Sequence, residues 1–382
     1  MAPDTPTILF AGGGTGGHIF PNLAIAERLG EIIPDASRWQ AHFVISKRPL
    51  DRTLLEEART NFTTLEVRPF TSRPWLWPRW VRSWHHSMRD VKSLIRAHRV
   101  VAVVATGGFV SVPVVVAAAR AGGAVALVNL DAVPGKANRA TARRCEKIFT
   151  VYPHASWPAG QHIGLPLRRS AVASGDAASS RRRIGLAPDR STLLILGGSQ
   201  GARSLNRMIR PLLTRTPNIS RLLTSWQVFH IAGSDNEQVE SLESAYADTA
   251  VPARVVPFCE LMGEAWGAAS LAISRAGAGS VAEARANAVP TIFLPYPHHR
   301  DQHQKLNAAS MVKAGGAIIL EDQIDPDRNA SSVASVLAPL LDFSQKRDAM
   351  RRALNEPGDV DGSAEVARWL KSKIVIDRSD VL

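Results

Sequence analysis

The sequence predicts an α/β chain of two doubly wound, parallel-sheet domains. Three observations carry that reading. Short apolar runs, each long enough for one buried strand, alternate with helix-like segments along most of the chain. In each half one such run passes straight into a glycine-rich turn and then a helix, the opening unit of a doubly wound sheet. The 382 residues also suffice for two or three domains of ordinary size.

The elements follow in order. Thr7-Ile8-Leu9-Phe10 reads as a buried strand leading into Gly12-Gly13-Gly14-Thr15-Gly16-Gly17-His18. Pro21 and the apolar run Leu23-Ala24-Ile25-Ala26 then open a helix. Phe43-Val44-Ile45 is a second strand. Val101 to Val128 is apolar enough to suggest a membrane span, but Gly107-Gly108, Pro113, Arg120 and Gly122-Gly123 break it, so strand, loop, helix, strand fits better. In the second half, Thr192–Leu196 leads into Gly197-Gly198-Ser199-Gln200-Gly201-Ala202 and a helix from Arg203. Strands follow at Val228-Phe229, Val255-Val256, Leu271-Ala272-Ile273 and Thr291–Leu294. The tail from Ser363 to Ile374 reads as a terminal helix. The expected domains are 1–166 and 167–355, with 356–382 packing back on the first.

Hydrophobic residues at 45% and charged residues at 21% exclude a disordered chain. The net charge of +12 attracts phosphates of any kind. Nucleic-acid binding would rest on that charge alone, with no reader motif, so no nucleic acid is expected. Cys145 and Cys259 offer neither metal spacing nor a disulfide framework, which suits a reducing cytoplasm. No signal-type segment opens the chain.

Glycine turns let a backbone come close to a ligand, and the helix N-terminus beyond offers N–H groups to an anion. His18 adds a group that moves a proton near neutral pH; its other reading is a structural histidine bonded to a loop carbonyl. Ser199 in the second turn suits a diphosphate. In Ser274-Arg275-Ala276-Gly277-Ala278-Gly279-Ser280-Val281-Ala282-Glu283, the carboxylate of Glu283 lies near the start of a helix, where it either complements the dipole or accepts from two ribose hydroxyls. His298, His299 and His303 suggest a metal only weakly, since His299 and His303 lack a third ligand nearby. Sugar contacts from Gln304 and Asn307 fit equally well. Asp325-Pro326-Asp327 resembles a metal-binding Asp-x-Asp, but Asp325 as N-cap with Pro326 at N1 is the better account.

Six markers occur in order: Gly13–His18 with Pro21, Thr106–Pro113, Ala132–Arg139, Gly197–Ala202, the block from Ser274 to Glu283, and Gln304 with Asn307. By their joint order and spacing the chain resembles the MurG family, bacterial transferases that convert lipid I to lipid II. The resemblance implies a GT-B fold, with two Rossmann-like domains facing across a cleft. It implies inverting transfer of N-acetylglucosamine from UDP-N-acetylglucosamine to the 4-hydroxyl of the muramyl sugar, with no metal or other cofactor. It places Ser199 on the diphosphate, Glu283 on the ribose, Phe258 and the Cys259 backbone on the uracil, and Ala278, Gly279, Ser280 and Val281 along the nucleotide. Gln304 and Asn307 fall near the sugar, Arg168 contacts the donor, and Thr15, Gly16 and Gly17 close over the sugar. His18 is the expected base. It also implies a peripheral place on the cytoplasmic face of the bacterial membrane.

One segment departs from the family. Where the family has His-Glu-Gln-Asn, this chain has Val128-Asn129-Leu130-Asp131. Asp131 puts a carboxylate at a strand end, where α/β ligands bind. It either shares base duty with His18 or signals a different lipid acceptor. An epimerase of the same fold and a nucleotide-sugar sensor are further alternatives.

Trp75 to Arg89 holds four of the nine tryptophans. If Pro78 opens a helix, Trp77, Trp80, Val81, Trp84 and Met88 share a face, flanked by Arg79, Arg82 and Arg89. Such a stripe more often packs on a core. The arginines and a lipid-linked acceptor favour an anionic bilayer surface.

Overall fold

A computed structural model describes residues 5–14, 16–35, 37–69, 73–197, 202–298, 301–355 and 361–379. The chain forms two compact units, Met1–Arg168 with Asp361–Leu382, and Arg169–Val360.

The first unit runs β1 (Thr7–Gly12), α1 (Gly16–Ile32), β2 (Gln40–Ser46), α2 (Pro49–Glu57), β3 (Asn61–Leu65) and α3 (Trp77–Ala97). It continues with β4 (Val100–Gly107), α4 (Ser111–Arg120), β5 (Ala124–Asn129), α5 (Lys136–Thr141), β6 (Lys147–Thr150) and β7 (Gln161–His162). Among the described residues its seven strands pair in the order β3-β2-β1-β4-β5-β6-β7, all parallel. The chain reverses direction across the sheet between β1 and β4, so the ends of these two strands form a topological switch point.

The second unit has α6 (Ala177–Arg183), β8 (Thr192–Leu196), α7 (Arg203–Thr214), α8 (Pro217–Leu223), β9 (Gln227–Ile231) and α9 (Asn236–Ala247). There follow β10 (Ala253–Val256), α10 (Met262–Ala268), β11 (Leu271–Ser274), α11 (Ala278–Ala286) and β12 (Thr291–Phe293). The unit closes with α12 (His303–Lys313), β13 (Ala317–Ile319), α13 (Pro326–Asp342) and α14 (Ser344–Leu354). Its sheet, β10-β9-β8-β11-β12-β13, is parallel throughout and switches between β8 and β11. Along β8 alternate residues enter opposite cores, Leu193 and Ile195 on one face and Leu194 and Leu196 on the other. A sheet covered on both faces needs apolar residues at every position, which is why this strand reads as a continuous run.

The last helix, α15 (Ser363–Ser379), belongs to the first unit. It buries Val366, Ala367, Leu370 and Ile374, and packs on α1. The division falls after Arg168 rather than Pro166, because Leu167 N–H donates to Asp361 Oδ1 (3.2 Å) and Arg168 pairs with Glu27 of α1 (2.6 Å). Arg28 holds the returning chain through Asp361 (2.5 Å).

Three local expectations need correction. First, α1 begins at Gly16, not at Pro21, which lies inside it, so His18 sits in its first turn. Second, Glu283 is in the second turn of α11, not at the helix start. Third, the stripe on α3 is not one outward face. Met88 is buried in the core, and Trp84 is half-buried against the same cluster, with Trp80 stacked on it at 6.1 Å. The inward side also carries Ser83, whose hydroxyl donates to the Glu66 carbonyl (2.5 Å) and accepts from Arg68 N–H (3.1 Å). The exposed side shows Trp75 (71%), Trp77 (47%), Val81, Arg79, Arg82 and Arg89. Asp325 is the N-cap of α13 as expected, accepting from Arg328 N–H (2.9 Å) with Pro326 behind it.

Candidate active site

At the first switch point the glycine loop is shaped by close packing. A Cβ on Gly13 would lie 2.9 Å from Asp51 Oδ2 and from Ser46 N, and one on Gly108 would lie 2.3 Å from the Gly13 carbonyl. Only glycine leaves that space, and Gly108 also has a φ of +78°, where a side chain is strained. Asp51, in the first turn of α2, is fully buried. Its Oδ2 accepts from Gly14 N–H (2.8 Å) and Ser46 Oγ (2.5 Å), while Arg48 donates to the Gly14 carbonyl. The loop backbone is thus held from both sides.

His18 is fixed by its own backbone. Thr106 Oγ1, near the end of β4, donates to the His18 carbonyl (2.8 Å) and accepts from Asn22 Nδ2 (3.1 Å). The His18 ring lies against Gly107, where a Cβ would come 2.9 Å from Nε2 and 3.1 Å from Asn138 Oδ1. Burial pulls the imidazole below its ordinary pKa, and the Asp131 carboxylate, the Asp51 carboxylate and a bond to the Gly13 backbone act the other way. The net direction favours the neutral ring at neutral pH.

Asp131 and His18 therefore lie close enough for their charges to interact. Asn129, at the end of β5, donates to the Asp131 carbonyl (2.7 Å) and accepts from Asn138 Nδ2 (3.0 Å). Asn138 Oδ1, Asn22 Oδ1 and Asp51 Oδ1 are buried acceptors with no partner among the described residues. Such atoms are costly unless something donates to them, and Asn138 Oδ1 is the one that shares the space around Gly107 with the His18 ring. Gly16 is buried and Gly17 exposed in the same turn, and Thr15 lies outside the described residues.

The second unit gathers the remaining candidates near the strand ends of its own sheet. Ser199 lies outside the described residues. Gly277 caps α11 without a side-chain bond, and a Cβ on Gly277 or Gly279 would meet nothing within 4 Å. The first turn, Ala278, Gly279, Ser280 and Val281, therefore leaves backbone accessible to an anion. Behind it, Glu283 Oε2 accepts from Trp266 Nε1 at 2.8 Å. Burial lifts the Glu283 carboxyl to about 7, with the indole pulling weakly the other way.

Phe258 is half exposed, whereas Cys259 is buried and its thiol pushed up by burial. Gln304 Oε1 accepts from Tyr296 N–H (2.8 Å), and Asn307, buried, donates to the Ala276 carbonyl (3.4 Å). Arg168 closes the first unit, where it pairs with Glu27 of α1 (2.6 Å). Among the described residues no group of three or more His, Cys, Asp or Glu side chains is placed to hold a metal.

Sequence reasoning missed Asp51, Trp266 and Asp322. Asp51 carried no local motif. Asp322 owes its ion pair and one of its hydrogen bonds to partners far along the chain, Arg275 and Ser204.

Residues 8–150 match the N-terminal domain, and residues 192–366 the C-terminal domain, of glycosyltransferase family 28. A curated relative from Clavibacter sepedonicus is 32% identical over 372 residues, 96% of this chain and 96% of its own length. It is named UDP-N-acetylglucosamine--N-acetylmuramyl-(pentapeptide) pyrophosphoryl-undecaprenol N-acetylglucosamine transferase. Among solved structures, MurG from Acinetobacter baumannii is similar with a TM-score of 0.72 and 24% identity, covering 96% of this chain and 99% of that one. A UDP-N-acetylglucosamine 2-epimerase from Listeria monocytogenes, titled putative, is similar in fold (TM-score 0.66, 13% identity, 97% of each chain). The GT-B fold alone therefore does not separate transferase from epimerase.

Proposed function

The chain belongs to the MurG family within glycosyltransferase family 28, and from that premise we propose that it transfers N-acetylglucosamine from UDP-N-acetylglucosamine to lipid I, giving lipid II. The observation that carries the reading is the His18 imidazole in the first turn of α1 at the β1/β4 switch point, its ring sharing the space around Gly107 with Asn138 Oδ1. A transferase needs a base there. A nucleotide-sugar sensor does not.

In the proposed reaction a lone pair of His18 takes the proton from the acceptor 4-hydroxyl. The oxygen attacks C1 of the donor sugar from the face opposite the diphosphate. The C1–oxygen bond to the diphosphate breaks, UDP leaves with the electron pair, and the anomeric centre inverts. The imidazolium then returns its proton to solvent. Asp131 supports the protonated ring by its charge. In the second unit the uncapped first turn of α11 offers N–H groups and a positive helix end to the donor, and Ser199 is assigned to the diphosphate. Glu283 is assigned to the ribose with one oxygen already held by Trp266. Phe258 and the Cys259 backbone are assigned to the base, and Gln304 and Asn307 to the sugar. Thr15, Gly16, Gly17 and Arg168 remain assigned to the donor by resemblance alone.

The lipid-linked acceptor favours peripheral attachment to the cytoplasmic face of an anionic membrane. No helix among the described residues is long and apolar enough to cross one. Trp75 in the short turn before α3, with Trp77 and Val81 at its start, forms an exposed apolar end, and Arg79, Arg82 and Arg89 the basic flank, a composition suited to headgroups.

The test is incubation of the protein with labelled UDP-N-acetylglucosamine, with and without lipid I. Label in lipid II supports the proposal. Conversion of the donor without acceptor identifies an epimerase, and transfer only to another lipid shows that Asp131 marks a changed acceptor.

A further inference from the structure

Arg275 directly follows β11 and is the hub of a buried polar cluster that no step above uses. Its guanidinium donates to the carbonyls of Leu294 (2.7 Å) and Pro295 (3.2 Å), just beyond β12. It also donates to Ser204 Oγ (2.6 Å) in the first turn of α7, and pairs with Asp322 (2.7 Å), beyond β13. The Asp322 side chain has no solvent exposure. It accepts further from Ser204 Oγ (2.6 Å), Asn329 Nδ2 (2.7 Å) and Ile324 N–H (2.8 Å). One planar fork thus ties together segments that leave the ends of β11, β12 and β13 with the helix that follows β8.

Those segments carry the two halves of the proposed donor site. β11 runs through Arg275 into the first turn of α11, whose N–H groups and positive helix end are assigned to the phosphates of the donor. Leu294 and Pro295 lead into Tyr296, whose ring lies 5.7 Å from the Arg275 guanidinium and whose N–H holds the Gln304 side chain assigned to the sugar. The charge of Arg275 is matched by Asp322, and its hydrogen bonds among the described residues end on protein acceptors, so it acts by holding rather than by touching a phosphate.

We propose that Arg275, braced by Asp322, is a positioning residue that sets the register between the diphosphate half and the sugar half of the donor site. The proposal rests on the reading that the second unit binds UDP-N-acetylglucosamine. A lysine keeps the charge but has no planar fork, so it cannot hold the Ser204, Leu294 and Asp322 directions at once.

The experiment measures binding of UDP, UDP-N-acetylglucosamine and UDP-N-acetylgalactosamine by calorimetry on the full chain. The last differs at one sugar hydroxyl, so the ratio of the two sugar nucleotides reads register. For Arg275→Lys the expected preference between them falls about tenfold while UDP affinity changes by about threefold or less, the pattern of a sugar misplaced against a well-held nucleotide. Ser204→Ala, which leaves the ion pair in place, shifts the preference the same way to a lesser degree, and it decides the matter if Arg275→Lys does not fold. An unchanged preference in the folded variants overturns the proposal. So does equal weakening of UDP and both sugar nucleotides, which marks a merely structural role. Wild-type protein that binds none of the three overturns the parent reading itself.

Discussion

Trp266 Nε1 donates to Glu283 Oε2 at 2.8 Å, from an indole that is entirely buried. On the proposed assignment of Glu283 to the ribose, this bond changes what the carboxylate offers. One carboxylate oxygen is already engaged, so bidentate acceptance from two hydroxyls falls mainly to Oε1. Replacing Trp266 by Phe leaves the partly buried Glu283 Oε2 without this donor. The expected outcome is weaker UDP binding in Trp266→Phe, read by calorimetry, with the protein still folded by circular dichroism.

Glu283 also carries a pH signature. Burial raises its carboxyl from 4.5 to about 7. Between those values the folded protein keeps a proton that the unfolded chain has released, so the contribution of this group to stability is greatest in acid and declines as pH rises through that window. Glu283→Gln cannot ionise. Melting temperatures between pH 5 and 8, approximate limits chosen to span the window, should show a decline in the wild type that is reduced in the variant. Parallel curves count against the assignment.

Asp131 raises the pKa of His18 against the stronger downward pull of burial. Asp131→Asn removes that support, so the imidazole should fall further. The acidic limb of the kcat/KM profile should then move to lower pH, with lower turnover on the plateau as the base weakens. An unmoved acidic limb separates Asp131 from the proton transfer.

At and just before α3 the exposed and half-buried tryptophans make opposite predictions. Trp75→Ser with Trp77→Ser, or Arg79→Gln with Arg82→Gln, should weaken binding to anionic vesicles. Each arginine contributes about 1 kcal/mol near such a surface, an effect that added salt screens. Trp84→Ser should instead lower the melting temperature, since Trp84 packs against the cluster containing Met88 and Val91. Flotation and thermal melts of the same variants distinguish the two faces.

What the sequence made legible follows from which forces act locally. The inner strands β1, β4, β5, β8 and β11 announce themselves because a sheet covered on both faces needs unbroken apolar runs. The edge strand β3, Asn61-Phe62-Thr63-Thr64-Leu65, is mostly half-exposed and carries no such run. On α3 the helical period was visible, but periodicity does not say which face turns inward. There the hydroxyls of Ser83 and Ser87 find the Glu66 carbonyl, and that contact lies far from them in sequence. The glycine loop and His18 were readable because turn chemistry and a proton-moving ring sit side by side. The Arg275–Asp322 pair was not, because nothing near either residue signals the other.

The most direct test compares N-acetylglucosamine transfer to lipid I by the wild-type chain and by His18→Ala, with UDP affinity measured on both. Positioned general bases contribute about 10²–10⁴ in rate. Lipid II formation by the wild type, a loss of turnover of that order in the variant, and nearly equal UDP affinity in the two are expected. Transfer by His18→Ala at the wild-type rate, or no transfer to lipid I by a folded, UDP-binding wild type, would contradict the proposed reaction.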